Sequence, residues 1–242
     1  MSNIPALDES VTAVLRTVST ATLTMVLLKK GIRTSWLCGP VPLQPMSERV
    51  VGPAFTLRFV PAREDLATPE SYAHSPSLRD AIEAAPSGCV VVIDGCASTT
   101  GATLGDILIA RLAYKGVVAA VADSPMRDAD EIRKIPMPVL STGVAAPPSI
   151  ASLAFAGWNE LIGCGGVAVR PGDIVVCDND GAIVIPLELA PGVASAGAEQ
   201  ERFERFVQAK VNAGASVLGL YPPDEAMLGE YQAWLAAGEP SE

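Results

Sequence analysis

Three residues able to do chemistry lie close together in this chain: Asp106, Arg127 and Asp128. Asp106 follows the glycine-rich stretch GCASTTGATLG (95–105) and opens the helical pattern DILIARLAYKG. Arg127 and Asp128 sit in DSPMRDADEI (123–132), straight after the apolar run VVAAVA. Carboxylates are hard oxygen donors suited to Mg²⁺ or Mn²⁺. A guanidinium presents a fixed fork of donors to substrate oxygens, and the N–H groups at a helix start hold anions. A pocket joining these side chains to the amides around Gly105, Ile107 and Leu108 would take a divalent cation and a small carboxylate. A plainer explanation competes. Asp128 and Glu131 have the D-x-x-E spacing of a capping box, and an acid at position 106 is favoured by the helix dipole alone. Capping gives no reason for Arg127, which tips the balance slightly towards a ligand.

Such convergence depends on the elements around these residues. CVVVID (89–94) and VVAAVA (117–122) read as buried strands, each followed by a loop and a helix. Strand–helix–strand–helix at this spacing predicts parallel neighbours, with both loops at one sheet edge. Open α/β sheets bind ligands at that edge. Upstream, apolar spacing predicts a helix over 8–30 ending at Gly31, then a Pro-rich stretch leading into a strand near 50–60 and a short helix at 76–85. Beyond PVLSTG, breaks at PGD and DNDG predict more antiparallel pairing over 150–186. Asp173, Asp178 and Asp180 are read there as turn residues. Two helices, at 188–213 and 224–237, close the chain. With no internal repeat, residues 1–242 read as one mixed α/β domain with a C-terminal helical extension over about 188–242.

Composition narrows the function. The single histidine, His74, disfavours a Ser-His-Asp triad, HExxH and multi-histidine metal sites. The loop at 95–105 has neither GK[ST] nor GxGxxG, so a nucleotide cradle is weakly supported. A net charge of −10 without a basic cluster argues against nucleic acid. No apolar run has the length of a membrane span, and the amino terminus lacks a signal-peptide pattern, so a cytoplasmic location is expected. The five cysteines, never spaced CxxC, suit free thiols. Cys96 could be a nucleophile, but a buried structural thiol is the expected state. High apolar content with few charges suggests a homo-oligomer.

At these residues the sequence resembles the RraA-like family, on VVVIDG, GATLGDILIARLAYKGVVAAVADSPMRDADEI and GGVAVRPGDIVVCDNDGAIVIP, roughly residues 88–187. The specific part is the Gly-Asp-x-Leu segment followed at a fixed interval by Arg-Asp. The family includes divalent-metal class II pyruvate aldolases such as 4-hydroxy-4-methyl-2-oxoglutarate aldolase. The resemblance implies a swivelling β/β/α-type sandwich with mixed sheets and terminal helices, assembled as a homotrimer or hexamer with sites at subunit contacts. It implies that Asp128 binds Mg²⁺ or Mn²⁺ directly and that Asp106 holds a water on the metal. Arg127 would contact the keto oxygen and enolate of a small 2-oxo acid, whose carboxylate rests on the amides of Gly105, Ile107 and Leu108. The implied reaction is retro-aldol cleavage of a 4-hydroxy-2-oxo acid to pyruvate, with oxaloacetate decarboxylation at the same site. Glu199 or Glu201 could reach a neighbour's site.

Three departures stand out: SPM at 124–126 in place of a small-residue run, Met25 where an Asp is frequent, and a longer tail. One rival function is a non-enzymatic regulator, since some members are named for inhibiting a ribonuclease. A second is a phosphohistidine carrier, for which His74 lies outside the motif block.

Overall fold

The computed structural model describes residues 7–65, 67–68, 70 and 75–239. The chain runs α1 (Glu9–Thr17), α2 (Thr20–Lys29), β1 (Val41–Pro42), β2 (Val50–Pro61), α3 (Leu78–Ala84), β3 (Val90–Asp94), α4 (Asp106–Tyr114), β4 (Ala119–Ala122) and α5 (Ala129–Ile132). It continues through β5 (Val139–Ser141), β6 (Leu153–Trp158), β7 (Ile162–Cys164), β8 (Val167–Val169), β9 (Ile174–Asp178), β10 (Gly181–Ile185), α6 (Ala190–Asn212) and α7 (Glu225–Ala236). The mixed sheets and terminal helices are the expected sandwich.

Alternation along each strand builds the layers, because successive side chains point to opposite faces. In β3, Val91 and Ile93 pack with Leu78, Ile82, Ile109 and Leu112 of α3 and α4. Val90 and Val92 face the other way, onto Val167, Val169, Val175 and Ala182. In β9, Val175 and Cys177 join that inter-sheet core, while Ile174 and Val176 meet Leu15, Leu23, Leu27 and Val193 of the terminal helices. Two sheets therefore lie face to face, each covered outside by helices. A smaller cluster of Phe206, Leu220 and Tyr231 joins the end of α6 to α7.

One strand belongs to both sheets. Val50–Pro53 of β2 pairs antiparallel with β9, and Ala54–Arg58 pairs parallel with β3. Gly52 permits the crossing, since a Cβ there would stand 2.6 Å from the Gly88 carbonyl oxygen. The order β2-β3-β4-β5 is parallel throughout, as the spacing of the two strand–helix units predicts.

The helix expected over 8–30 is two helices, bent by 110° at Val18–Ser19. The apolar period runs through the break, but two local bonds stop the first helix and start the second. Val18 is extended, and the Ser19 side chain accepts the Thr22 N–H. The Asp178 carboxylate, buried beneath, accepts both the Thr20 N–H at 2.9 Å and the Thr20 hydroxyl at 2.7 Å. Asp178 also accepts the Asp180 N–H, the turn role read from the sequence. No single described helix is long and apolar enough to cross a membrane.

Asp178→Ala removes all three of these bonds and strands the Thr20 donors. A buried charged acceptor of this kind contributes about 2 kcal/mol or more. The expected result is a lower urea midpoint with an unchanged slope of free energy on denaturant; an unchanged midpoint would contradict the capping role.

Candidate active site

The parallel register of β3 and β4, Val90↔Ala119 through Ile93↔Ala122, ends both strands at the same level. The two following loops stay stitched beyond it. The Thr103 N–H donates to the Pro125 carbonyl at 3.1 Å, and the Arg127 N–H donates to the Leu104 carbonyl at 3.0 Å. A third loop, after β5, joins through Met126 N–H to Gly143 O and Ala102 N–H to Pro147 O. Backbone hydrogen bonds thus set Gly105–Asp106 beside Arg127–Asp128.

A cleft of about 540 Å³ opens over this platform, within the range usual for small-molecule sites. Gly105, Asp106, Ile107, Leu108, Arg127 and Asp128 all line it. The sequence reading therefore names residues that share one cleft. It missed the opposite wall, formed by Leu78 and Arg79 of α3 and by Pro148, Ser149 and Ile150. Those residues come from distant segments without a motif, and only the tertiary fold brings them in.

The competing capping reading fails at Asp128. Asp128 precedes α5 with φ 57° and ψ 41°, the left-handed region, and its side chain makes no cap hydrogen bond. The expected D-x-x-E box is absent. Glu131 instead pairs with Lys134 at 2.6 Å. By contrast, Ser77 and Asp80 do form a reciprocal box at α3. A non-glycine residue held left-handed costs on the order of 1–3 kcal/mol, less for Asp or Asn than for most, and such residues cluster at functional sites. What the turn achieves is placement: the Asp128 carboxylate accepts the Arg127 Nε–H at 3.1 Å and packs against Gly105.

Gly105 is the N-cap of α4 and supplies no side-chain cap. The first-turn amides of Asp106, Ile107 and Leu108 have no carbonyl within the helix to bond. They form an anion-seeking rim beside the Arg127 guanidinium. The two carboxylates on this cleft, Asp106 and Asp128, are hard donors. Mg²⁺ is commonly held by one or two carboxylates with water completing its shell, so the pair fits such an ion. Among the described residues no group of three or more His, Cys, Asp or Glu side chains gathers as a metal cluster.

Other expectations fall out as follows. All five cysteines are free. Cys96 is exposed rather than buried, because its loop turns outward through left-handed Cys96 and Ala97. Its thiol donates to the Phe59 carbonyl at 3.2 Å. Partial burial, then Asp94 and Asp123, push its pKa up, which opposes a nucleophilic role. Glu199 accepts from the Tyr231 hydroxyl and Glu201 from the Ser19 N–H of the same chain. His74 lies outside the described residues.

The RraA-like model, described as Aldolase/RraA, matches residues 20–184. The chain belongs to the RraA-like family. This RraA-like chain is 34% identical over 146 residues to a Halalkalibacterium halodurans relative, an alignment covering 60% of this chain and 64% of that protein. It therefore spans just under two thirds of that relative's length. A Thermus thermophilus relative named 4-hydroxy-4-methyl-2-oxoglutarate aldolase is 34% identical over 122 residues, 50% of this chain and 72% of that one. Among solved structures, Streptomyces coelicolor RraAS2 matches with a TM-score of 0.76 at 33% identity, covering 84% of this chain and 98% of that one. That protein is described as an unusual member of the RNase ES inhibitor RraA protein family.

The packing at Gly105 gives a direct test. A Cβ there would stand 2.7 Å from the Asp128 Oδ2 and 3.1 Å from the Arg127 Cγ. Gly105→Ala pushes the Asp128 carboxylate, and to a smaller extent the Arg127 stem, by several tenths of an ångström, a misplacement that costs about 10-fold or more in rate where 1 Å costs about 100-fold. Turnover should fall about 10-fold or more while circular dichroism stays native; retained turnover would mean the contact is incidental.

Proposed function

We propose that this chain is a divalent-metal-dependent lyase that cleaves a 4-hydroxy-2-oxo acid to pyruvate by a retro-aldol reaction. The observation that carries the reading is the left-handed turn at Asp128, which forgoes a cap and holds the carboxylate beside Arg127 and Gly105. The aldolase name of the Thermus relative supports the reaction class.

In this reading Asp128 holds the divalent ion and Asp106 supports it from the same cleft. When bound, the ion acts as a Lewis acid on the keto group of the substrate. The amides from Gly105 to Leu108 receive the C1 carboxylate. Cleavage of C3–C4 turns the C4 hydroxyl into a carbonyl as its proton leaves, and the bonding pair becomes the pyruvate enolate. Arg127 donates to the oxygen on which that negative charge develops. Asp106 relays the departing proton, and protonation of C3 completes pyruvate. Oxaloacetate should lose CO₂ at the same site, because that reaction also leaves a pyruvate enolate.

The RNase-inhibitor family of the Streptomyces neighbour supplies the other reading, a regulator that works through its surface. A regulator that works through its surface needs no metal ligand, and the same assay separates the two.

Pyruvate release from a panel of 4-hydroxy-2-oxo acids should vanish with excess chelator and return with Mg²⁺ or Mn²⁺. Asn tolerates the left-handed region as Asp does, so Asp128→Asn should fold normally yet lose about 100-fold or more in kcat. Arg127→Lys, which loses the planar fork, should fall on the same scale. Full activity in chelator would rule out the metal dependence, near wild-type rates for both variants would rule out this cleft as the site, and no pyruvate from any member of the panel would rule out the lyase.

A further inference from the structure

The mechanism leaves unused a buried carboxylate four residues before Arg127. Asp123 directly follows β4, is only 6% exposed and does not line the cleft. Its Oδ1 accepts the Gly95 N–H at 2.7 Å and its Oδ2 accepts the Gly165 N–H at 3.2 Å. Those donors come from the loop that leads to Gly105 and from the β7–β8 hairpin. Ser124, fully buried, shares a 2.9 Å hydrogen bond with Thr103 of the same loop. The loops leaving the two strands approach so closely that a Cβ on Gly95 would overlap the Ser124 side chain.

This is an expensive way to join two loops. Burial and the nearby Asp94 both disfavour the ionised Asp123, and only the backbone N–H groups offset them. Buried charges contribute little net stability compared with apolar packing, whereas removal of one partner is costly. An apolar pair could close the layers. It could not set two backbone donors at fixed positions from one side chain.

We propose that Asp123 and Ser124 are positioning residues, which hold the Gly95–Gly105 loop in register with Arg127–Asp128 and so set the amide rim against the guanidinium. Asp123→Asn keeps the shape but turns an amide donor towards one of the two N–H groups. Ser124→Ala removes only the bond to Thr103, a milder change that keeps the question open should Asp123→Asn fail to fold. Asp173→Asn is the matched control, a partly buried aspartate whose carboxylate accepts the Arg170 N–H within its own turn.

Two readouts decide it. The first is hydrogen exchange at the Thr103 and Arg127 amides, the two bonds that stitch the loops. Exchange there should accelerate about 10-fold or more in Asp123→Asn, and less in Ser124→Ala, while β9 and β10 keep wild-type protection. The second rests on the lyase reading: kcat should fall about 10-fold or more with KM within about 3-fold, as misalignment rather than lost binding requires. Asp173→Asn should change neither. Unchanged exchange at Thr103 and Arg127 in the folded variants overturns the proposal whatever the kinetics. Accelerated exchange with wild-type kcat also overturns it. If the wild-type chain forms no pyruvate at all, the lyase reading fails, and the exchange result alone upholds or overturns the register claim.

Discussion

Everything at the cleft depends on the parallel register of β3 against β4. A ladder from Val90↔Ala119 to Ile93↔Ala122 leaves the two strands level at their carboxyl ends. A slip of one residue would turn every side chain of a strand to the opposite face. Here it would exchange Val91 and Ile93, packed under α3 and α4, for Val90 and Val92, packed between the sheets. The core therefore specifies the register, and the register places the chemistry. The loops add only the last few ångströms, through Thr103–Pro125 and Arg127–Leu104.

That rigidity explains how a left-handed aspartate can persist. Asp128 gives up favourable backbone geometry, and the surrounding bonds over-determine its position, as strained functional residues require. Gly105 takes part from the other side. Its missing side chain is the space that the Asp128 carboxylate occupies, and it brings no capping side chain to the α4 amides. In the proposed reading the same glycine serves packing and binding together.

Much of this was legible in the chain. VVVID and AAVA are continuous apolar runs because both faces are buried, and their spacing implied parallel pairing. Asp106, Arg127 and Asp128 were found as acids and an arginine at strand-end loops, and they do share a cleft. What periodicity could not reveal were choices made by single hydrogen bonds. The apolar pattern continues across Val18–Ser19, yet Asp178, 158 residues beyond Thr20, splits the helix there. The D-x-x-E spacing at 128–131 satisfies a capping rule that the left-handed backbone then disables. Leu78, Arg79 and Ile150 reach the cleft only through the packing of α3 and the loop after β5. Asp123 looked like one more acid in a polar stretch, and only its burial and its two N–H partners distinguish it.

The central claim is that this cleft stabilises a pyruvate enolate, whatever group the substrate carries at C4. Exchange of the pyruvate methyl protons into D₂O, followed by NMR, tests that step without the full substrate. Wild-type protein with Mg²⁺ or Mn²⁺ should exchange these protons well above the buffer rate. Chelator should abolish the exchange, and Arg127→Lys should reduce it about 100-fold. Exchange no faster than buffer in the presence of either metal, with pyruvate bound, would contradict the assignment.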